Sequence, residues 1–588
     1  MKRLLLYVHF NQHQSLSSHV RYQLKQIRSL FSTILFISNS PLNDELVNDL
    51  KNERLIDTFC QRENSGFDFA AWRDGMLEIG FEQLKTYDSI TVMNDTCFGP
   101  LWDLKDYYLK FESDQTVDFW GMTNHRIAQK TTHSLGFPEH LQSYFMVFHK
   151  AVILSDVFET FWKKVKNHQN VQDVITDYET RATSYLTDAG FKYKAVFDTT
   201  KEEVDQLPHA DFSYYHPTAI LQHKVPFIKV KAINANQHIT PYLLAEIEKT
   251  SQYPVELIVS HMSKIHYPDL TYLLGRKYLK ETSTWRFISK KTAVHLHVFY
   301  VDLLETFLEA FKSFHFVYDL FITTDNEEKE GLIRDILEEN NQEAKIVITG
   351  NIGRDILPML TLKTELAKYD YVGHFHTKKS KEASFWAGES WRKELIEMMI
   401  IPANKILSQL EEDPELGLVI ADIPTFFRYN KIVNPYNEHR IAPVMNDLWK
   451  EMGMQKTIDF NAFHTFVMSY GTFVWFKYDA LQSLFDLNLD ESSVPAEPLP
   501  QNSILHAIER LLIYIAWDKG YDFRISKNSS ELTPFIDNKL LNERLGTSSY
   551  PYVDFNYLGG IKGAMKYLFV VQLRAIKYIL KRLKEKLI

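Results

Sequence analysis

Short apolar runs alternate with amphipathic segments along the first hundred residues, and the same alternation returns after residue 290. Residues 4 to 99 contain apolar runs that predict strands, separated by segments with helical spacing, and end on Asn94 and Asp95. Residues 293 to 380 repeat this order, from AVHLHVFY through DLFITTD and AKIVITG to HFHTKK. Alternating strands and helices predict a mostly parallel sheet flanked by helices. We therefore expect two copies of one α/β domain.

The motif N-x-G-x-D follows the third predicted strand of each copy. Its polar residues and glycines are Asn64, Gly66 and Asp68 in copy one and Asn351, Gly353 and Asp355 in copy two. Sheets of this type bind ligands at the carboxyl ends of their strands, so these residues and Asn94 are expected to face the ligand. A structural interpretation is also open, in which glycine supplies a positive φ and the aspartate caps the next helix.

The repeat continues beyond these segments. The apolar runs SYFMVF and GTFVWF each lead into an amphipathic helix, and a glutamate follows in each copy. Glu179 precedes Gly190 by the same interval that separates Glu509 from Gly520. A glutamate on a helix is often a solvated surface group, but recurrence at the same spacing makes Glu179 and Glu509 candidate catalytic residues.

Length and composition agree with two domains. The 588 residues, 45% of them hydrophobic and 24% charged, are ordinary for a globular protein with two cores. The predicted boundaries are 1–265 for the first domain, 266–290 for a helical linker, 291–545 for the second domain and 546–588 for a terminal helix. Cys60 and Cys97 form no disulfide or zinc motif, which favours a reducing cytosol, and MKRLLLYVHF is interpreted as a first strand and not as a signal peptide.

The charge is unevenly distributed. The whole chain carries −9, whereas the segment from Ile561 onward combines many lysines and arginines with Glu585 as its only acid. Apolar residues spaced by three and four lie between these charges, in runs far shorter than the roughly 20 residues of a membrane span. A basic amphipathic helix of this kind is predicted to lie on an anionic inner leaflet, with a packed terminal helix as the alternative. Nucleic acid is not an expected partner, because the remaining surface is acidic.

The glycine motifs of dinucleotide-binding and P-loop enzymes are absent, which argues against redox and phosphoryl-transfer chemistry. The position of Asp95 after the fourth strand is similar to that of the D-x-D acid in GT-A glycosyltransferases. Such an acid holds a divalent cation, Mg²⁺ or Mn²⁺, against the donor diphosphate. Copy two has no acid in the corresponding stretch, which contains His374, His376 and Lys378. There, either histidines hold a cation or the lysines replace it.

The stretches ENSGFDFAAWRDG, VMNDTCFGPLW, HLQSYFMVF, NIGRDILPML, HFHTKKS and ILHAIER resemble the rhamnan synthesis protein F family, in particular streptococcal members linked to rhamnose-glucose polysaccharide. The resemblance extends over nearly the whole chain. It implies a cytoplasmic, membrane-associated rhamnosyltransferase with two tandem GT-A-like domains. The implied donor is dTDP-L-rhamnose, and the implied acceptor is a polyprenyl-diphosphate-linked rhamnan.

The implied reaction inverts the anomeric centre, so that each site needs one general base and help for the leaving group. Glu179 and Glu509 are the candidate bases, Asp95 is the candidate metal ligand, and the N-x-G-x-D residues, Asn94, His376 and Lys378 are assigned to the donor. Weaker candidates for an acceptor site are His140, Gln142, Tyr144, Trp386 and Trp391. Other polysaccharide glycosyltransferases are candidate partners. In the alternative hypothesis one domain is catalytic and the other only binds glycan or scaffolds other transferases.

Overall fold

The computed structural model describes residues 1–127, 136–201, 211–280, 287–379, 385–425, 427, 435–463, 466–497, 499–500, 502–528 and 560–587. The chain divides into two compact units, Met1–His266 and Tyr267–Ile588.

Unit one is built on a mixed sheet. The strands of unit one are β1 (Arg3–His9), β2 (Thr33–Ser38), β3 (Thr58–Gln61), β4 (Ser89–Asn94), β5 (Cys97–Phe98), β6 (Phe119–His125), β7 (His140–Leu141), β8 (Phe145–His149), β9 (Tyr193–Phe197) and β10 (Ile228–Lys229). Strands β5 and β10 pair with each other in a separate two-stranded sheet. The main sheet runs in the order β3-β2-β1-β4-β8-β6-β7, with β9 also paired to β6. Strands β1 to β4 are parallel, and β8 is antiparallel to both β4 and β6.

The helices of unit one flank this sheet. They are α1 (Ser18–Ile27), α2 (Asp44–Asn52), α3 (Phe67–Ile79), α4 (Phe81–Leu84), α5 (Lys105–Glu112), α6 (Lys150–Ile153), α7 (Asp156–Lys164), α8 (Val171–Val174), α9 (Thr180–Asp188), α10 (Phe212–Tyr215), α11 (Pro217–Gln222), α12 (Val230–Ala235), α13 (Thr240–Thr250) and α14 (Glu256–Ile265). A π-helical turn, Ile175–Glu179, joins α8 to α9.

Unit two contains a sheet of the same design. Its strands are β11 (Thr292–His297), β12 (Asp319–Thr324), β13 (Lys345–Ile348), β14 (Tyr371–His376), β15 (Leu416–Ala421), β16 (Val474–Lys477) and β17 (Asp522–Ser526). Their order is β13-β12-β11-β14-β16-β15-β17, with β16 antiparallel to β14 and β15. The strand order and directions therefore match those of β3-β2-β1-β4-β8-β6-β9 in unit one.

The helices of unit two are α15 (Leu304–Phe311), α16 (Glu327–Glu339), α17 (Ile356–Thr361), α18 (Lys363–Leu366), α19 (Phe385–Met399), α20 (Ala403–Glu412), α21 (Pro435–Glu451), α22 (Tyr478–Asp486), α23 (Ile504–Asp518) and α24 (Gly560–Leu587). Large apolar side chains of α24 are exposed, including Phe569 at 62% and Ile579 at 55%.

The central strands are buried on both faces. All residues of β4, β14 and β15 are buried, as are Leu4 to His9 of β1. Helices cover both sides of a parallel sheet, which is why these strands appear in the sequence as nearly continuous apolar runs. The prediction of an α/β protein with parallel-rich sheets flanked by helices is confirmed.

Candidate functional site

The glycine of N-x-G-x-D has the same backbone conformation in both units. Gly66 has a φ of +70° and Gly353 a φ of +84°. A Cβ added at Gly66 would lie 2.4 Å from the Cβ of Ala70, and one added at Gly353 would lie 2.2 Å from the Cβ of Leu357. Glycine is required at both positions for conformation and for space.

The aspartates of the motif do not act as caps in the described residues. Gly66 is the N-cap of α3, which leaves Asp68 within the first turn, and Asp355 at the N-cap of α17 makes no capping hydrogen bond. Asp68 instead accepts a hydrogen bond from Asn94 Nδ2 at 2.7 Å. Asp355 accepts from the Thr472 hydroxyl and lies 3.9 Å from His376 Nδ1.

The two partners, Asn94 and His376, occupy equivalent positions, although the first makes a hydrogen bond and the second approaches to 3.9 Å. In unit one Ser89, the first residue of β4, pairs with His149, and in unit two Tyr371, the first residue of β14, pairs with Lys477. With these pairs superimposed, Asn94 and His376 are equivalent residues. In each unit the motif aspartate therefore meets the last residue of the fourth strand. The structure thus brings Asp68 to Asn94 and Asp355 to His376, from segments that are far apart in sequence.

The candidate bases also occupy equivalent positions. Glu179 Oε1 accepts a hydrogen bond from the backbone N–H of Ser143 at 3.2 Å, and Glu509 Oε1 accepts one from that of Gly471 at 2.9 Å. Ser143 and Gly471 align before strands β8 and β16. Glu179 ends the π-helical turn, a distortion that is frequent at functional sites.

The two motif aspartates differ in electrostatics. Burial, with a further contribution from the charge of Glu179, raises the pKa of Asp68 to about 6, against the hydrogen bond from Asn94. Burial also opposes ionisation of Asp355, but His376, His374 and Thr472 hold the pKa of this carboxyl well below its usual range. The carboxylate in unit two is therefore held in its charged form.

Asp95 secures the segment after β1. Its Oδ2 accepts a hydrogen bond from the backbone N–H of Phe10 at 3.0 Å, and burial raises its pKa to about 8. Thr377 stands at the equivalent position in unit two, where its hydroxyl accepts from the N–H groups of Phe299 and Tyr300, both at 3.0 Å. Asp95 and Thr377 thus both hold the backbone segment that follows the first strand of their sheet.

Asp95 and His9 are the two side chains that a cation in unit one would meet. His9 Nε2 is buried and lies 3.9 Å from Asp95 Oδ2. No cluster of three His, Cys, Asp or Glu side chains in the described part of the chain is arranged to hold a metal. A cation here would therefore draw its remaining ligands from water and from a bound phosphate group. In unit two, Val298 and Thr377 occupy the equivalent positions.

Gly471 is a centre of the site in unit two that the sequence interpretation missed. Its carbonyl accepts from His376 Nε2 at 2.6 Å, and its N–H binds Glu509. A Cβ added there would lie 3.5 Å from Trp391 and 3.7 Å from Lys378 Nζ. Lys378 Nζ lies 3.6 Å above the Trp391 ring. Four predicted site residues thus surround one glycine, whose φ is +80°. The signal available in the sequence was a glycine directly before an apolar strand.

The other predicted acceptor residues lie inside unit one. His140 stacks on His125 with ring centroids 5.1 Å apart, Gln142 donates to Asp211 at 3.0 Å, and the Tyr144 hydroxyl bonds to Thr123. Each is at most 5% exposed. An acceptor role for them stays a prediction. The side chain of Trp386 lies outside the described residues, and Asn64 and Asn351 are only partly buried or exposed.

Lys231 on α12 is a further residue that the sequence interpretation missed. Its charge acts to lower the pKa of Asp68, as does that of Arg62, against the larger effect of burial. A lysine there can offset negative charge at the same site. The basic run KVPFIKVK was the available signal.

Among the described residues, no helix combines the length and the apolar character that a membrane span requires.

Comparisons with known proteins give one broad match and several partial ones. The protein y4gN of Sinorhizobium fredii is 26% identical over 200 residues, which cover 34% of this chain and 48% of that protein. WxcX of Xanthomonas campestris is 26% identical over 237 residues, or 38% of this chain and 31% of WxcX. Both relatives are uncharacterised, and the chain spans about half or less of their length.

Among solved structures, the glycosyltransferase GlyE of Streptococcus pneumoniae is 12% identical with a TM-score of 0.24, covering 65% of this chain and 88% of GlyE. The mannosyltransferase PcManGT of Pyrobaculum calidifontis, in complex with GDP-Man and Mn²⁺, is 15% identical with a TM-score of 0.22, covering 54% and 90%. TM-scores this low do not establish a shared fold.

The family model described as rhamnan synthesis protein F matches residues 34–521, which is most of the chain. The chain belongs to the rhamnan synthesis protein F family, as its sequence motifs predict.

Proposed function

We propose that the protein is an inverting rhamnosyltransferase that elongates a polyprenyl-diphosphate-linked rhamnan with dTDP-L-rhamnose as donor. Each unit is a GT-A-like domain with its own donor site at the carboxyl ends of the parallel strands. The observation that carries this proposal is the repeated carboxylate geometry. In each unit a glutamate binds the backbone before the antiparallel strand, and an aspartate meets the end of the fourth strand.

The chemistry follows from these groups. Glu179 and Glu509 accept the proton of the acceptor hydroxyl as the new bond forms. Asp68 and Asp355 accept hydrogen bonds from donor hydroxyls, together with the asparagines of the motif. The leaving diphosphate needs positive charge, which Lys378 provides in unit two. In unit one Asp95 would hold Mg²⁺ or Mn²⁺ with His9 beside it, and the cation would neutralise the diphosphate.

The acceptor lipid explains the terminal helix. Exposed apolar and basic residues of α24 suit the surface of an anionic inner leaflet, so we place the protein peripherally on the cytoplasmic face. Other polysaccharide glycosyltransferases would be neighbours on that surface.

A second candidate function is supported by a specific difference. Unit two carries Thr377 and Val298 where unit one carries Asp95 and His9. In this alternative only unit one is catalytic, and unit two binds the growing glycan or scaffolds other transferases.

Separate Glu179→Gln and Glu509→Gln variants distinguish the two. With two working sites, linkage analysis of the products made from dTDP-L-rhamnose and a lipid-linked primer should give two different truncated glycans. With one working site, one variant should make the wild-type product. Glu246→Gln and Glu338→Gln, which alter exposed carboxylates, are the controls. Failure of the wild-type protein to lengthen any primer would contradict the proposal.

A further inference from the structure

The central strands of unit two carry a buried polar chain that unit one lacks. His295 on β11 and His374 on β14 are 0% and 1% exposed, and their rings stack with centroids 5.0 Å apart. Thr323 on β12 is also fully buried. The strand registers of the two sheets match, so each of these positions has an equivalent in unit one. The equivalents of His295, His374 and Thr323 are apolar: Leu6, Val92 and Ile37.

Hydrogen bonds join these residues to the motif aspartate. His374 Nε2 lies 3.4 Å from Asp355 Oδ2, and His374 Nδ1 lies 2.9 Å from His295 Nδ1. His295 Nε2 and His297 Nδ1 both lie 2.9 Å from the Thr323 hydroxyl oxygen. A continuous chain therefore runs from His297 through Thr323, His295 and His374 to Asp355.

The proposed chain has one direction. An ionised Asp355 only accepts, so His374 Nε2 carries a proton, and in this chain His374 Nδ1 accepts from His295. His295 then donates from Nδ1 and accepts from the Thr323 hydroxyl at Nε2. The Thr323 oxygen in turn accepts from Nδ1–H of His297. Burial lowers the pKa of His295 well below its usual range and that of His297 to about 4, which keeps both rings neutral.

Such a chain is not required by the fold. Burying polar groups in a sheet costs free energy unless every group is paired, and unit one builds the same sheet with apolar residues. A fully paired network fixes the groups that it contains. The residue at its end, Asp355, belongs to the proposed donor site.

We propose that His374 and His295 are positioning residues for the donor site of unit two, where this one-way hydrogen-bond chain holds the Asp355 carboxylate in a single orientation toward the nucleotide-sugar. The inference rests on the proposed function of unit two. Asp68 lacks such a chain, and its pKa is raised, whereas the pKa of Asp355 is lowered.

The kinetic test uses the full chain with Glu179→Gln, so that only unit two transfers rhamnose. His374→Leu and His295→Leu should raise the KM for dTDP-L-rhamnose by about 10-fold with little change in kcat, because supporting residues usually contribute at this level. His374→Gln should recover most of the loss, since its amide can still donate to Asp355. His315→Leu, which alters an exposed histidine of the same unit, is the control.

A purely structural role predicts a different pattern. Under it, KM would stay at the wild-type value, or the leucine and glutamine variants would lose activity equally and in proportion to their loss of thermal stability. Either result overturns the proposal. If the Glu179→Gln enzyme transfers no rhamnose although the wild type does, the proposed function of unit two fails instead. In that case, unchanged dTDP affinity in the leucine variants would overturn the positioning role as well.

Nitrogen-15 spectra of histidine-labelled wild-type protein test the chain without activity. His374 should carry its proton on Nε2 and His295 on Nδ1, with both signals assigned through the leucine variants. The reverse arrangement, or a doubly protonated His374, would overturn the assignment of the chain.

Discussion

At the scale of single residues, two glycines set the geometry of the proposed donor sites. Gly66 and Gly353 both adopt positive φ and both leave no room for a Cβ. They allow the backbone to turn so that the following aspartate points toward the fourth strand and not back onto its own helix.

Gly66→Ala and Gly353→Ala should each lower the free energy of unfolding by about 2 kcal/mol, because alanine is strained at positive φ and its methyl group overlaps a neighbour. Gly331→Ala is the matched control, since this glycine lies exposed within α16 with nothing within 4 Å of an added Cβ. It should be neutral or stabilising by up to about 1 kcal/mol. Urea denaturation measures all three, and an equal effect at the three positions would contradict this account.

Asp95 should make stability depend on pH. Its pKa is raised to about 8 in the folded protein, compared with about 3.9 in an unfolded chain. A carboxyl with a raised pKa stabilises the fold while protonated, so its contribution is complete below about pH 4 and is lost as the pH rises through about 8. The melting temperature of the wild type should therefore fall relative to Asp95→Asn over this range. Parallel curves for the two proteins would contradict the prediction.

At the scale of elements, the helix that carries Glu509 is anchored by a buried ion pair. Arg510 on α23 donates to both carboxylate oxygens of Glu438 on α21, at 2.6 and 2.8 Å, and the two side chains are 9% and 2% exposed. The pair fixes the rotation of α23 and with it the position of the adjacent glutamate.

Removing one partner should leave a buried charge unpaired. Arg510→Met is expected to destabilise the protein by about 3–5 kcal/mol, whereas the double variant Arg510→Met with Glu438→Leu should recover most of that loss. Thermal or urea denaturation of the single and double variants measures the difference. A double variant as unstable as the single one would indicate that the arginine acts through packing and not through its charge.

At the scale of the whole molecule, two units with one sheet design differ in detail. Unit one has Asp95 and His9 at the end of its central strands, and unit two has a histidine chain beneath its motif aspartate. The duplication therefore preserves the positions of the carboxylates while the groups that support them have diverged.

The terminal helix provides the prediction at this scale. Removing residues 560–588 should release the protein from anionic vesicles without unfolding either unit. Binding of the intact protein should weaken as salt shortens the Debye length from about 30 to 3 Å, while its apolar face retains part of it. Cosedimentation with vesicles measures both effects. A truncated protein that sediments as well as the intact one would mean that another surface meets the lipid.

The sequence by itself determined the α/β class, and it predicted the repeat and a positive φ at the glycine of N-x-G-x-D, because these depend on local periodicity and backbone conformation. It also predicted Glu179 and Glu509 as candidates by their spacing, and both accept a backbone hydrogen bond at equivalent positions. Tertiary structure decided what each side chain meets. Asp355 and Thr472 are 117 residues apart, and their contact depends on strand order and register. Local patterns do not encode that register, which is why the aspartate could be interpreted as a cap and the role of Gly471 was not visible.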